Sequence, residues 1–173
     1  MTTRTNLAEL EALGLIQLST VSEEAAYLFR HALIQDAAYA SLIKQDRRQL
    51  NLIVGETLER LYADRVEQIA PRLAAHFDSA GDDRRALKYF TLAGDQAAQQ
   101  FANAEASTHY TRALDIAKHL PDLGNASSIL MHLYLQRGQA LHSIASYQGA
   151  LDNYLDMQQF AQHCGDRSLE LHS

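Results

Sequence analysis

One stretch of the chain, residues 82–101, places a small or aromatic apolar residue on the same face at every helical turn. These residues follow one another at steps of four, three, four and four: Ala86, Phe90, Ala93, Ala97 and Phe101. The spacing has the 3.6-residue period of an α-helix, and alanine at the contact positions allows a second helix to approach closely. The stretch therefore predicts a helix that packs tightly against neighbouring helices through this face.

Similar helical patterns cover most of the chain after residue 31. With only two Pro and eight Gly among 173 residues, few positions interrupt them. The predicted helices are 32–43, 46–62, one that has Pro71 in its first turn and ends at Gly81, then 82–101, 104–120, 125–144 and 146–164. Two apolar stripes are expected on the first two of these helices: Leu33, Ala37, Ala40, Leu42 and Ile43 on one, and Leu50, Ile53, Val54, Leu58 and Leu61 on the other. The fold class is therefore predicted to be all-α.

The N-terminal part differs, because it contains the only predicted strands. Asn6 is expected to cap a short helix that carries Leu7, Leu10 and Leu13 on one face and stops at Gly14. Two strands, 15–19 and 26–31, then flank a polar turn at 20–25. Helix, hairpin and helix in this order form the second half of a winged helix. We therefore expect a partial winged-helix domain at 1–45 and helical repeats at 46–173 that continue past the last residue.

Charge and composition narrow the classes of partner. The net charge of −6 and the pI near 5.7 argue against a general affinity for nucleic acid or anionic membranes. No apolar run approaches the ~18 residues of a membrane span, and the N-terminus lacks a signal-peptide core. Cys164 is the only cysteine, so no internal disulfide can form. A cytoplasmic location is the resulting prediction.

Small and aromatic residues recur at related positions in consecutive predicted helices. Residues 73–93, 104–117 and 134–157 share this pattern, which resembles the tetratricopeptide repeat. In that family a small residue in the first helix and two in the second let the pair approach, while aromatics fill the holes. The small residues Ala86, Ala106 and Ala150 are 20 and 44 positions apart, whereas the standard repeat has 34, so the units are expected to be longer and degenerate. An irregular bundle with alanine at the crossings is the alternative.

Repeat proteins of this kind bind protein segments on a concave surface. Long polar side chains on the predicted helices are the candidates for such a surface. They are Gln99, Asn103, Arg112, Gln136, Gln139 and Asn153. The alternative for each is ordinary solvated surface.

Arg30 and His31 stand at a junction between a predicted strand and a predicted helix, in YLFRHALIQDAAYASL. Together with RRQLNLIVGETLERL and LAAHFDSAGDDRRALKYFTLAG, this stretch is similar to the winged-helix-to-repeat junction of multidomain signal-transduction ATPases. Bacterial relatives in that group are linked to class III adenylate/guanylate cyclases or to LuxR-type output domains. The resemblance covers roughly residues 6–120.

In that superfamily, a histidine at the end of the last winged-helix strand contacts the β-phosphate of bound ADP and holds the protein inactive. The resemblance implies this role for His31, next to Arg30, toward a nucleotide held by an upstream ATPase domain. Plant resistance proteins have an acidic residue directly after the histidine, where this chain has Ala32. The alternative is that His31 ends the strand and hydrogen-bonds a carbonyl.

No pattern for catalysis is present. The chain has no phosphate loop, no GxGxxG, no HExxH and no nucleophile elbow, and Cys164 has no metal-ligand partner at a suitable spacing. We therefore predict no catalytic residues, no metal and no cofactor for this chain, with ADP or ATP in a parent chain only. The expected function is a protein-binding scaffold or sensor arm of a regulatory ATPase; the alternative is a freestanding tetratricopeptide adaptor that binds peptides.

Overall fold

The computed structural model describes residues 3–19, 27–120 and 126–164. These residues form eight α-helices, two short strands and one 3₁₀ segment. In chain order they are α1 Thr3–Ala12, β1 Ile16–Leu18, β2 Tyr27–Phe29, α2 Ala32–Ser41, α3 Lys44–Leu61, the 3₁₀ segment Ala63–Ile69, α4 Ala70–Ala80, α5 Asp83–Gln99, α6 Asn103–His119, α7 Ala126–Ser143 and α8 Tyr147–Cys164. The all-α class with a small hairpin is confirmed. Within these ranges, no helix combines the length and the apolarity that crossing a membrane requires.

The chain divides into two compact units, Met1–Arg47 and Arg48–Ser173. The predicted domain boundary after residue 45 lies close to this division. The assignment of the first unit to a winged helix and of the second to tetratricopeptide-like repeats stays a prediction.

The first unit is built around the antiparallel pairing of β1 and β2, in which Ile16 lies opposite Phe29 and Leu18 opposite Tyr27. Gly14 makes the turn between α1 and β1 at φ +70°, a conformation that glycine adopts without strain. Among the side chains described in this unit, Ile16 alone is buried. The described part of this unit therefore has almost no core of its own.

Two expectations for the first unit are wrong. Asn6 does not cap α1, since the helix already includes Thr3 and Asn6 lies inside it. The apolar stripe expected on α2 is not buried either, because the helix has no buried residue and Leu33 is 81% exposed. Helical periodicity identified α2 correctly, but periodicity alone does not show whether an apolar face is covered.

The second unit has a continuous core along α4 to α8, in which each helix packs against the next. Pro71 lies in the first turn of α4, as predicted, where its missing N–H costs no hydrogen bond. Asp82 caps α5 and accepts a hydrogen bond from the backbone N–H of Arg85 at 3.0 Å. The largest fully buried side chains are Phe77, Tyr89, Tyr110, Tyr134, Leu73, Leu114, Leu130, Leu133 and Met157.

Three turns between successive helices of this unit share one geometry. Each has a residue with positive φ, namely Gly81 at 79°, Phe101 at 59° and Ala145 at 58°. In each turn, the backbone N–H of the following residue donates a hydrogen bond to the carbonyl five positions earlier: Asp82 to Phe77, Ala102 to Ala97, and Ser146 to Leu141. This is the hydrogen bond of a Schellman turn. Ala86, Ala106 and Ala150 are the buried first-turn residues after these turns, which explains their spacing of 20 and 44.

Small residues admit aromatic rings at the helix contacts of the second unit. A Cβ on Gly94 of α5 would lie 2.6 Å from Cε1 of Tyr110 on α6, and a Cβ on Gly138 of α7 would clash with Tyr154 on α8. Gly55 of α3 receives Phe77 of α4 in the same way, at 2.9 Å. Because glycine has no side chain, these rings lie directly against the facing helix.

Two further sequence expectations differ from the structure. Of the stripe expected on α3, Leu50, Ile53 and Leu61 are exposed, whereas Val54 and Leu58 are half-buried and Leu58 packs against the core. The buried positions of that helix are Asn51 and Gly55. Phe101, placed on the core face of α5, lies in the turn after it and is 86% exposed. The turn predicted at 20–25 and the C-terminal residues after 164 lie outside the described residues.

Candidate functional site

A groove runs between α5 and α7 and consists of two adjoining clefts. The first, which we call the cationic cleft, has a volume of about 590 Å³. Its lining combines an apolar floor of Leu87, Leu120 and Ile129 with two cations, Arg84 and Lys88. The other lining residues are Thr91, Ser128 and His132. Lys88 lies 4.0 Å from Glu59, so part of its charge is balanced. Arg84 has no ion-pair partner among the described residues and is the most available cation of the cleft.

The second, the amide cleft, has a volume of about 580 Å³. Polar side chains from α5, α6 and α7 line it together with the exposed ring of Phe101. The lining residues are Asp95, Ala98, Gln99, Phe101, Asn103, Tyr110, His132, Gln136, Gln139, Ala140 and Ser143. Each asparagine and glutamine side chain has N–H donors and a C=O acceptor. It can therefore pair with the C=O and N–H groups of a peptide backbone. The amide cleft is therefore suited to bind an extended main chain.

His132 lines both clefts and is held at their junction by Asp95. The distance from His132 Nε2 to Asp95 Oδ1 is 3.1 Å, and Tyr110 donates its hydroxyl to the same oxygen at 2.8 Å. The rings of Tyr110 and His132 meet edge to face at 6.4 Å. Burial, and then the hydrogen bond to Asp95, raise the pKa of Tyr110, so its phenol stays protonated and donates. These contacts fix the position of His132 within the groove.

The amide cleft brings together four of the residues predicted from sequence to bind a partner: Gln99, Asn103, Gln136 and Gln139. They come from three helices, and α6 places Asn103 at its first residue. These residues were predicted from the sequence only because they are long and polar. The structure shows that they line the same cleft. Whether they bind a partner stays a prediction.

Arg112 and Asn153 do not belong to this cleft. Arg112 on α6 donates two hydrogen bonds to the carboxylate of Asp78, at 3.0 and 2.7 Å, and so links α6 to α4. Asn153 on α8 is fully buried and donates through Nδ2 to the carbonyl of Tyr134 at 3.0 Å. The proposal of Asn153 as a surface residue is corrected, since helix packing places its side chain inside the core.

Sequence reasoning missed Arg84, Lys88, Asp95 and His132. A signal existed, because Arg84, Lys88, Thr91, Asp95 and Gln99 follow one another on α5 at steps of four, three, four and four. This is the same period as the apolar face, displaced around the helix. The contact of Asp95 with His132, 37 positions later, depends on how α5 and α7 pack and leaves no local signal.

Arg30 and His31 lie in the first unit, and both are exposed. His31 is the N-cap residue of α2, at φ −136° and ψ 133°, and its side chain makes no capping hydrogen bond. Its carbonyl accepts from Ile34 N at 3.0 Å, and the backbone N–H of Arg30 donates to the carbonyl of Leu15 at 3.1 Å. His31 therefore stands at the helix N-terminus as predicted. A nucleotide contact for either side chain stays a prediction.

Comparisons with known proteins give no relative for this chain. No model of a protein family matches it, and no curated protein and no solved structure is significantly similar to it. The described residues also contain no group of three or more His, Cys, Asp or Glu side chains placed to hold a metal ion. The case for function therefore depends on the groove and on the sequence patterns.

Proposed function

We propose that the chain is a protein–protein interaction module that binds a segment of a partner protein in the groove between α5 and α7. One observation carries the proposal: Gln99, Asn103, Gln136 and Gln139 line a single concavity beside the exposed ring of Phe101. Amide side chains recognise a peptide main chain, and an exposed aromatic ring adds apolar contact area.

The pairing of helices in the second unit supports a tetratricopeptide-like architecture. Gly94 in the first helix of one pair faces Tyr110 in the second, with buried Ala106 and Ala113 on either side. Gly138, Tyr154 and Ala150 have the same arrangement 44 positions later. This agrees with the small and aromatic positions of that family, with longer units. Concave peptide-binding surfaces are the usual function of such arrays.

The larger role we propose is that of a sensor arm in a regulatory ATPase. Binding in the groove would bias a switch between ADP and ATP states of an upstream domain in the same chain. The order of sequence motifs supports this role, as do the exposed apolar residues of the first unit, among them Leu13, Leu28 and Leu33. Exposed apolar residues in a unit whose described part has almost no core favour a role in which another domain packs on them. The alternative is a freestanding adaptor with no ATPase.

Panning a library of random dodecapeptides displayed on phage against the purified chain tests the binding role. We expect peptides that bind the chain and lose affinity for the double variant Gln99→Ala/Gln136→Ala. The double variant Gln45→Ala/Gln49→Ala, which removes two exposed amides of α3, is the matched control and should bind as the unaltered chain does. Failure to enrich any peptide, or equal loss in both variants, would contradict the proposal.

Translation of the reading frame upstream of Met1 separates the two larger roles. A phosphate-loop motif in frame supports the sensor arm, and His31→Ala in that longer protein should then raise its basal output without unfolding it. An in-frame stop immediately upstream would instead support the adaptor.

A further inference from the structure

We propose that the groove selects a short, extended, acidic peptide segment with an apolar residue near each end. This inference rests on the proposed binding function and specifies its ligand. The carboxylate lies against Arg84 and Lys88, one apolar side chain enters between Leu87, Leu120 and Ile129, and Phe101 contacts the other. The main chain between them crosses the amide cleft.

Charge complementarity supports an acidic ligand. The chain carries a net charge of −6, yet the cationic cleft gathers Arg84 and Lys88 around an apolar floor. Glu59 partly balances Lys88, which leaves Arg84 as the main uncompensated charge of the cleft. A single such cation beside apolar side chains fits one carboxylate on a peptide. It does not fit the row of phosphates of a nucleic acid, which needs many cations.

The length of the groove limits the length of the segment. The lining residues of α5 run from Arg84 to Gln99, which at a rise of about 1.5 Å per residue spans roughly 22 Å. An extended chain covers about 3.3 Å per residue, so about seven residues fill the groove. The acidic residue and the far apolar residue should therefore lie about six positions apart.

Phe101 has a backbone conformation that points to a role beyond folding. Its φ of 59° is one that aromatic residues rarely adopt, and the equivalent positions of the two other turns are Gly81 and Ala145. Nothing in the core requires the ring, since it is 86% exposed at the edge of the amide cleft. A strained residue that exposes an aromatic ring beside a cleft is explained by ligand contact.

The peptides enriched from the dodecapeptide library test the ligand class. We expect an Asp or Glu in most of them, with one apolar residue near it and a second about six positions away, and a minimal binding length of about seven residues. Enriched peptides without acidic residues would overturn this inference and leave the binding function intact. No enrichment at all would overturn both.

Substitutions then test the two ends of the groove, with affinity measured by fluorescence anisotropy of the best selected peptide. Arg84→Glu should weaken binding about tenfold or more, because it replaces attraction by repulsion. Arg72→Glu, an equal charge change at an exposed position outside the groove, should leave affinity unchanged. An equal effect of both would show non-specific charge attraction and overturn the assignment of Arg84.

Phe101→Gly should lower affinity about tenfold while raising the thermal midpoint, because glycine relieves the positive φ and the ring is removed. Ala145→Gly, at the equivalent turn, should also raise the midpoint but leave affinity unchanged. If Phe101→Gly binds as tightly as the unaltered chain, the ring is not a ligand contact and this part of the inference is wrong.

Discussion

The two units of this chain use apolar residues in opposite ways. In the second unit the aromatic and aliphatic side chains of α4 to α8 form one continuous core. In the first, the described apolar side chains apart from Ile16 stay at least partly exposed, and α2 buries none. Short helices and two-stranded sheets gain little stability by themselves. The second unit is therefore stabilised by its own packing, whereas the described part of the first exposes most of its apolar side chains.

Hydrogen exchange should show the largest difference between the units. We expect amides of α5 and α6 to exchange about 100-fold or more slowly than those of α2, equal to roughly 3 kcal/mol of opening free energy. The physical reason is that α2 opens without exposing a core, while opening α5 or α6 exposes buried Tyr89, Tyr110 and Leu114. Mass spectrometry of peptic fragments measures this directly. Equal protection in α2 and α5 would contradict the comparison.

Substitution of Gly94 should reveal how closely the helices of the second unit are packed. Gly94→Val places a branched side chain where Cβ alone would lie 2.6 Å from the buried ring of Tyr110. Since the ring is fully buried, we expect a loss of about 3 kcal/mol in the free energy of unfolding. Urea denaturation followed by circular dichroism measures it.

The matched control for Gly94→Val is Ala75→Val on the exposed side of α4, which introduces the same branched side chain into a helix without the clash. Its expected cost is about 0.5 kcal/mol. Similar losses in the two variants would mean that the Gly94 contact is looser than the structure shows.

Local sequence patterns predicted the helices well because their causes are local. The 3.6-residue period located α5 and α6, and Pro71, Gly81 and Asp82 marked the helix ends. Ala86, Ala106 and Ala150 each lie at the same distance after a turn. This also has a local cause, since the three turns have the same hydrogen bond.

The predictions that failed, or that sequence could not make, depend on contacts between distant residues. The apolar stripe of α2 could be buried only if another element packed on it, and helical periodicity does not show whether one does. Phe101 matched the core period of α5, but the helix ends two residues earlier and the turn directs its ring outward. Asn153 looked like a surface residue until the packing of α8 buried it. The pairing of Asp95 with His132 follows only from the placement of α5 beside α7.

Acidification should destabilise the second unit through two of its histidines. Burial, and then the charge of Arg72, lower the pKa of His76, whose ring hydrogen-bonds Asn51 at 3.0 Å. Burial lowers the pKa of His109 against the opposing charge of Glu105. A lowered histidine pKa means that the unfolded chain binds more protons, so stability is complete above the ordinary value of 6.5.

Stability should therefore decrease as the pH falls through 6.5, and level off for these groups below their folded pKa values. The measurement is the urea midpoint between pH 8 and pH 5, roughly the range in which histidine titrates. In the double variant His76→Gln/His109→Gln the slope should be smaller. An unchanged slope would assign the pH dependence to other groups.

The smallest effect is expected at Leu33, and it separates the two units most directly. Leu33→Gln removes an apolar side chain that is 81% exposed, so the free energy of unfolding should change by less than about 0.5 kcal/mol. Leu114→Gln, at a fully buried position of α6, should cost several kcal/mol, since an amide then replaces core packing. A large loss at Leu33 would mean that this residue is covered in solution by a second copy of the chain, and that loss would depend on protein concentration. A negligible loss would mean that the apolar side chain of Leu33 is available to contact the surface of a different protein. The sensor-arm proposal requires such a contact.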